Sequence, residues 1–374
     1  MPVNYAEKYA SAVDERFRED AKSTPFVNAN YDFDGVQTVK VYSVETSPMH
    51  NYAMSGDHRY GTPAELGNSL QTLVMSQDRS FSFTIDRKNN IDTMGTMNAG
   101  EALSRQLSEV VIPEVDRYRF AKMIIGAGTH EASAITKSTA YEAALDAAAT
   151  LTDKSVPAAN RIFAVSPAYY KKIKQDSSFV KASEAGQSMV VSGALGMIDG
   201  MSVMLLPFSY LMGGIEFLIA HPIATTACEK LAEYNTYDNP PGVSGTLIEG
   251  RIYHDAFVLD NKKYAIYAHH GTIGSITVES AAGSASGKTV LTLKGMDQLL
   301  AAGAKIVYAT GATQAAATLA EDVSDWTALT LEAVDGGGYK SGDITATTGD
   351  KLAVALSIAD KAYMSGVATV ASKA

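Results

Sequence analysis

Three stretches of this 374-residue chain carry residue types whose spacing fits a known chemistry. The first is AAGSASGKTV, residues 281–290. From Ala282 it fits the relaxed form of a phosphate-binding loop: a small residue, four others, then Gly287, Lys288 and Thr289. Such a loop cradles phosphates with backbone N–H groups, while the lysine meets the outer phosphates and the hydroxyl holds magnesium. The chemistry would be nucleotide hydrolysis centred on Lys288. A phosphate loop, however, joins a strand to the N-terminus of a helix. Here the loop runs into KTVLTLK, residues 288–294, whose β-branched alternation reads as a strand. A hairpin turn is the expectation, with a P-loop NTPase centred on Lys288 as the alternative.

The second stretch, GAGTHE at residues 126–131, starts like the dinucleotide fingerprint G-x-G-x-x-G. Glu131 stands where the third glycine belongs, and a helical pattern precedes it, so a helix ending at glycine is expected. The third set is the histidines: His50, His58, His130, His221, His254, His269 and His270. None are spaced i, i+4, and the single cysteine, Cys228, has no cysteine partner, so no structural zinc site is expected. His254 and Asp255 are adjacent on a strand pattern and so point to opposite faces. No G-x-S-x-G occurs. The acidic pairs Glu19–Asp20 and Glu321–Asp322 lie in polar surroundings and read as solvated surface. No catalytic, cofactor-binding or metal-ligating set is expected, and no enzyme activity.

Composition narrows the class. Apolar residues make up 46% and charged residues 19%, as in a globular protein with a real core. A net charge of −10 argues against a nucleic-acid-gripping surface, though not against weak contact with packaged DNA. One cysteine permits no internal disulfide, which suits a reducing compartment. The N-terminus MPVNYAEKYASAVDERF lacks the apolar core and cleavage site of a secretion signal. The most apolar window, residues 201–220, is broken by Pro207, Gly213, Gly214 and Glu216, and reads as two buried strands joined by a turn, not a membrane span.

The elements that would position these residues follow in order. Residues 1–24 read as an amphipathic helix with Tyr5, Tyr9, Val13 and Phe17 at every fourth position. VQTVKVYSVE (36–45) and LQTLVMSQDRSFSFTID (70–86) read as strands around a long polar loop. Ordinary hairpin loops have about 2–5 residues, so a projecting β arm is expected. A long helix starts near Asn98, with Leu103, Leu107, Val110 and Val111 on one stripe and Pro113 expected to kink it. A mixed α/β region follows, in which RIFAVSP and GIEFLIAHP read as strands and IATTACEKLAEY (223–234) as a helix. TLIEGRIYHDAFVLD and KYAIYAHH read as strands. From residue 273 the chain contains no Arg, and seven short strand-like runs suggest an immunoglobulin-like β-sandwich.

This order of elements, with VIPEVDRYRFAKM (111–123), SGALGMIDGMSVMLLP (192–207) and GTLIEGRIYHDAFVLDNKKYAIYAHH (245–270), resembles the major capsid proteins of tailed bacteriophages, of the Hong Kong 97 fold. The resemblance covers residues 1 to about 272. It implies an α+β fold with an N-terminal arm (1–35), an extended loop (36–92), a peripheral domain (93–136 and 245–272) and an axial domain (137–244). Residues 273–374 would be an immunoglobulin-like surface domain, removable without loss of assembly.

The function implied is a subunit that self-assembles, as pentamers and hexamers, into an icosahedral shell around double-stranded DNA. The implied place is the virion capsid, assembled in the host bacterial cytoplasm. The implied partners are other copies of the chain, a portal, a separate scaffolding protein (no scaffolding segment precedes the arm) and packaged DNA held by weak contacts; no membrane and no cofactor is implied. Subunit contacts are expected at Tyr5, Tyr9, Val13 and Phe17, and at His50, Tyr52, Met54, Arg59 and Tyr60 in the loop. A short helix and a long projecting loop bury little on a monomer, but can bury apolar area on neighbours at about 25 cal/mol per Å². A tail-tube or surface-layer structural protein is the other structural alternative.

Overall fold

A buried strand flanked on both faces reads as a near-continuous apolar run, and IEFLIA, interrupted by Glu216 alone, shows why. All six residues of the strand Ile215–Ala220 are buried. Phe217 and Ile219 face one layer, with Phe163, Tyr169, Tyr267 and the alanine-rich helix Ala140–Asp153. Leu218 and Ala220 face the other, with Phe26, Phe120, Met123 and Ile124. The sheet between these layers holds six strands, in the order Thr129–Ala132, Ile266–His270, Ile215–Ala220, Ile162–Val165, Met201–Leu205, Met197–Ile198. Ser166 caps the helix Pro167–Gln175 by accepting from the Tyr169 N–H at 3.1 Å, and Pro167 opens it. The computed structural model describes residues 21–31, 38–44, 46–63, 65–88, 99–182, 196–211, 214–334 and 338–373. The expected helix stripe of Tyr5, Tyr9, Val13 and Phe17 lies outside these residues.

A second layer pair is built on a three-stranded antiparallel sheet, Gln77–Asp86, Gly245–Val258 and Thr225–Asp238. Its apolar face, with Ile85, Tyr234, Ile248 and Ile252, meets Leu103, Leu107, Val111, Ile112 and Val115 of the long helix. That helix runs through Ala99–Gln106, a π-helical turn Leu107–Val111 and Ile112–Gly126. The π turn widens the helix just before Pro113 and rotates the stripe, so Val110, expected in the core, is exposed while Val111 is buried.

Residues 223–234, expected as a helix, instead form much of the strand Thr225–Asp238. Its 13 pairs with Gly245–Val258 override the helix propensity of the Ala, Glu, Lys and Leu residues. The run 70–86 is two strands. Asn68–Val74 pairs with Thr38–Val44, and Gln77–Asp86 pairs with Gly245–Val258.

From residue 274 two further sheets pack together. One has the order Gly274–Ser275, Lys361–Thr369, Lys351–Ile358, Lys305–Gly311, Thr327–Ala328. The other has Thr277–Ala282, Lys288–Lys294, Tyr339–Ser341 and Leu331–Ala333, with Ile344–Thr345 also on Lys288–Lys294. WTALTLEA therefore divides between the two sheets, and the short helix Asp297–Ala301 stands where no element was expected. This unit shares its core with the long helix, because Tyr118, Ala121 and Ala256 belong to the same cluster as Leu291, Leu293, Leu352 and Met364. It is docked on the rest of the chain, not strung from it.

Candidate assembly surface

The strands Thr38–Val44 and Asn68–Val74 form a two-stranded ribbon. One face is anchored: Val41, Leu73 and Met75 pack with Cys228 and Leu259. Gln71 ties the ribbon to the turn after Gly245–Val258, donating from Nε2 to the Val258 carbonyl at 2.9 Å and accepting the Asp260 N–H at 3.1 Å. The other face, carrying the cross-strand pair Tyr42 and Leu70 together with Val74, is exposed.

Beyond the ribbon lies the tip, in which every described residue from 46 to 60 is exposed. It has structure of its own. The Ala53 N–H donates to the Arg59 carbonyl at 2.9 Å, the Gly61 N–H to the His58 carbonyl at 3.0 Å, and Arg59 Nε to the Gly56 carbonyl at 3.3 Å. Gly61 sits at φ +86° against the His50 ring, where a Cβ would come within 2.8 Å of Cδ2. The Tyr52 and Tyr60 rings meet edge to face, 5.0 Å between centroids. Thus the structure brings Tyr52 to Tyr60 and His50 to Gly61. Met54 is 90% exposed, Tyr60 85% and Met49, which the sequence reading did not single out, 97%. Its signal was available: a large apolar residue inside a polar loop.

Two buried carboxylates hold the elements that lead to this surface. Asp255 is fully buried beneath the end of the ribbon. Its Oδ2 accepts the Ser76 N–H at 2.8 Å and the Ser76 hydroxyl at 3.0 Å; its Oδ1 accepts the Tyr118 hydroxyl at 2.6 Å and the Ala256 N–H at 2.7 Å. That grip splits the strand run at residues 75–76. Burial, then the Asp255 charge, keeps the Tyr118 phenol protonated, and the same two influences push the Cys228 thiol up to about 12. Asp116 on the long helix accepts the N–H groups of Lys22 and Ser23 at 2.8 and 3.0 Å. Phe26 then inserts edge-on against Phe120, 5.3 Å between ring centroids. The chain leaving residues 1–20 is therefore fastened to the long helix.

The stretches that suggested chemistry have other occupations. Residues 283–287 turn between Thr277–Ala282 and Lys288–Lys294, and Gly287 takes φ +70°. The Gly283 N–H donates to the Lys288 carbonyl at 2.8 Å, the Gly287 N–H to the Lys373 carbonyl at 2.8 Å, and the N–H of Ser284 to the Asp343 carboxylate at 3.0 Å. The Ser284 hydroxyl also bonds to Asp343, and Lys288 Nζ donates to Thr345 Oγ1 at 2.5 Å. Loop amides, lysine and hydroxyl are thus committed to protein groups, one of them a carboxylate that would repel phosphate. We expect MgATP to leave the melting temperature unchanged in both the native chain and Lys288→Ala; a shift lost in the variant would restore the nucleotide reading. GAGTHE closes the long helix at Gly126, and at Gly128 a Cβ would lie 2.6 Å from the Tyr264 nitrogen.

Among the described residues no three His, Cys, Asp or Glu side chains gather as metal ligands. His254 is buried against Tyr118 and depressed to about 3 by burial, then by Arg119 and Arg79. No described helix is long and apolar enough to cross a membrane.

No family model and no curated protein sequence matches the chain. Solved structures do. A chain from Mycobacterium phage Che8 superposes with a TM-score of 0.54 at 17% identity, covering 66% of this chain and 89% of that one. The capsid structure of cyanophage P-SCSP1u gives 0.52 at 13%, covering 65% and 84%. The mature capsid of bacteriophage PhiM1 gives 0.52 at 10%, covering 63% and 82%. The chain has the α+β capsid fold that its order of elements implied.

Proposed function

We propose that the chain is the major capsid protein of a tailed bacteriophage, assembling into the icosahedral shell that encloses double-stranded DNA. The observation that carries this reading is the ribbon and its tip on a capsid fold. The tip spends backbone hydrogen bonds on a defined shape, yet leaves Met49, Met54 and Tyr60 to water. Apolar groups held in a fixed shape without cover mark a contact surface. Neighbouring copies supply the cover in this proposal, at His50, Tyr52, Met54, Arg59 and Tyr60, with Tyr5, Tyr9, Val13 and Phe17 making a second contact from the arm.

In this reading residues 137–244 form the axial domain and residues 93–136 with 245–272 the peripheral domain, which lends Thr129–Ala132 and Ile266–His270 to the six-stranded sheet. Residues 273–374 form an immunoglobulin-like surface domain, a reading supported by two packed sheets of mainly antiparallel strands. A portal, a separate scaffolding protein and weakly held DNA are the further partners, and assembly takes place in the host cytoplasm. The net charge of −10 suits a lining that does not grip the genome.

Electron microscopy tests the proposal. The purified chain, with its scaffold if required, should form closed isometric particles. A chain that stays unassembled under all conditions would overturn it, and tubes or flat lattices would favour a tail-tube or surface-layer protein.

A further inference from the structure

Beside the apolar core it shares with the long helix, the C-terminal unit meets the body where Tyr363 covers a pair of histidines 140 positions apart in sequence. His130 lies on Thr129–Ala132 and His270 ends Ile266–His270, parallel neighbours in the six-stranded sheet. Their side chains share a face, and His130 Nδ1 lies 3.1 Å from His270 Nε2. Tyr363, from Lys361–Thr369 of the C-terminal unit, closes over both, its ring centroid 4.1 Å from that of His270 and 5.3 Å from that of His130. His270 and Tyr363 are buried, His130 is half-buried, and His130 Nε2 is enclosed without a hydrogen-bond partner.

We propose that this histidine pair is an acid-sensitive latch, which holds the C-terminal unit against the capsid-fold body near neutral pH and releases it on acidification. The geometry dictates the sense. A hydrogen bond between two imidazoles needs a lone pair on one nitrogen, so it is lost when both rings are protonated. Two imidazolium ions 3.1 Å apart beneath a tyrosine ring would also repel each other in a poorly solvated place.

The surrounding groups offer little compensation. Tyr363 comes from the C-terminal unit. His269, next to His270, turns to the opposite face, where its ring stacks on Phe217 and Nε2 meets the Ser133 carbonyl at 3.0 Å. Glu131, next to His130, bears electrostatically on Tyr363, Tyr267 and His269. No carboxylate contributes to the shift of His130, which burial depresses from 6.5 to about 4, offset in part by the backbone of Ala127.

The linkage has a definite sign. The docked state favours neutral His130, so docking is at full strength above the ordinary value of 6.5. It weakens as the pH falls below 6.5 and levels off below about 4. Opening should become about 100-fold more favourable between pH 7.5 and pH 4.

Hydrogen exchange by mass spectrometry on the full chain, corrected for the chemical exchange rate, tests this. Protection of residues 129–133 and 274–276 should fall with acidification while Ile215–Ala220 stays protected. In His130→Gln, whose amide still meets His270 but does not titrate, that protection should persist to pH 4. Full protection of the native chain at pH 4, or the same loss in His130→Gln, would overturn the latch. Should the variant fail to fold, slow exchange at the ring C–H of His130 in the native chain reads its titration directly. A midpoint near 4 supports the latch, and one at 6 or above overturns it.

Discussion

Removing residues 50–62 is expected to give a chain that folds with its normal core and forms no particles. The core survives because every residue removed is exposed or, for Gly61, half-buried, and none belongs to a buried cluster. The ribbon register is set below the cut, by the pairs from Thr38↔Val74 to Val44↔Asn68 and by the anchoring of Leu73, Met75 and Gln71. Surface changes away from special features usually shift stability by about 0.5 kcal/mol or less.

Assembly has more to lose. Covering a large apolar side chain contributes about 1.5–3 kcal/mol, and the tip offers Met54 and Tyr60 at 90% and 85% exposure. In a closed lattice that loss recurs at every copy, so a modest contact becomes decisive. Sedimentation and negative-stain microscopy give the readout, with circular dichroism as the folding control. Normal shells from the shortened chain would show that the tip is not a subunit contact. The double substitution Met54→Ser with Tyr60→Ser should lower particle yield in the same direction while keeping the turn, since Gly56 and Gly61 remain.

Asp255→Ala is expected to be among the most destabilising single changes, costing about 3–5 kcal/mol in urea unfolding. The carboxylate is fully buried and accepts four hydrogen bonds, from Ser76 twice, Tyr118 and Ala256. Alanine leaves the buried Tyr118 hydroxyl without an acceptor, takes from the Ser76 N–H its partner, and adds a small cavity. Asp255→Asn should lose less, about 1–2 kcal/mol, because its one carbonyl oxygen can serve either Ser76 or Tyr118 but not both. The loss should also reach the ribbon, whose last turn at Ser76 hangs on Asp255. A loss below about 1 kcal/mol for Asp255→Ala would show that water or relaxation replaces the carboxylate.

Much of the architecture was legible because it rests on local pattern. Alternation in KTVLTLK and the mainly apolar runs in RIFAVSP and GIEFLIAHP each found its strand. The long loop between two strands announced a projecting ribbon. Failures occurred where a distant partner outweighed local preference. IATTACEKLAEY has the composition of a helix, yet most of it pairs as a strand with Gly245–Val258. LQTLVMSQDRSFSFTID looks continuous, yet Asp255, some 180 residues later, breaks it at Ser76. Val110 follows the helical stripe, but the π turn carries it to the surface.

Composition, period and turn residues by themselves determined a chain of mixed helices and strands with a β-rich C-terminal part and a long polar loop between two strands; the α+β class and the contact candidates Tyr52, Met54 and Tyr60 came with the resemblance to capsid proteins. Period also set aside the phosphate loop, because the residues after Lys288 alternate as a strand does. Tertiary structure alone decided how that loop is shaped, which carboxylates hold its base and that the C-terminal unit shares a core with the long helix. It alone brought His130 to His270 beneath Tyr363. The physical reason is range. Backbone propensity and side-chain period act over a few residues, whereas Asp255 with Ser76, Asp116 with Ser23 and His130 with His270 meet across 93 to 179 positions. Such contacts exist only once the sheets are paired, and nothing in the local sequence marks them.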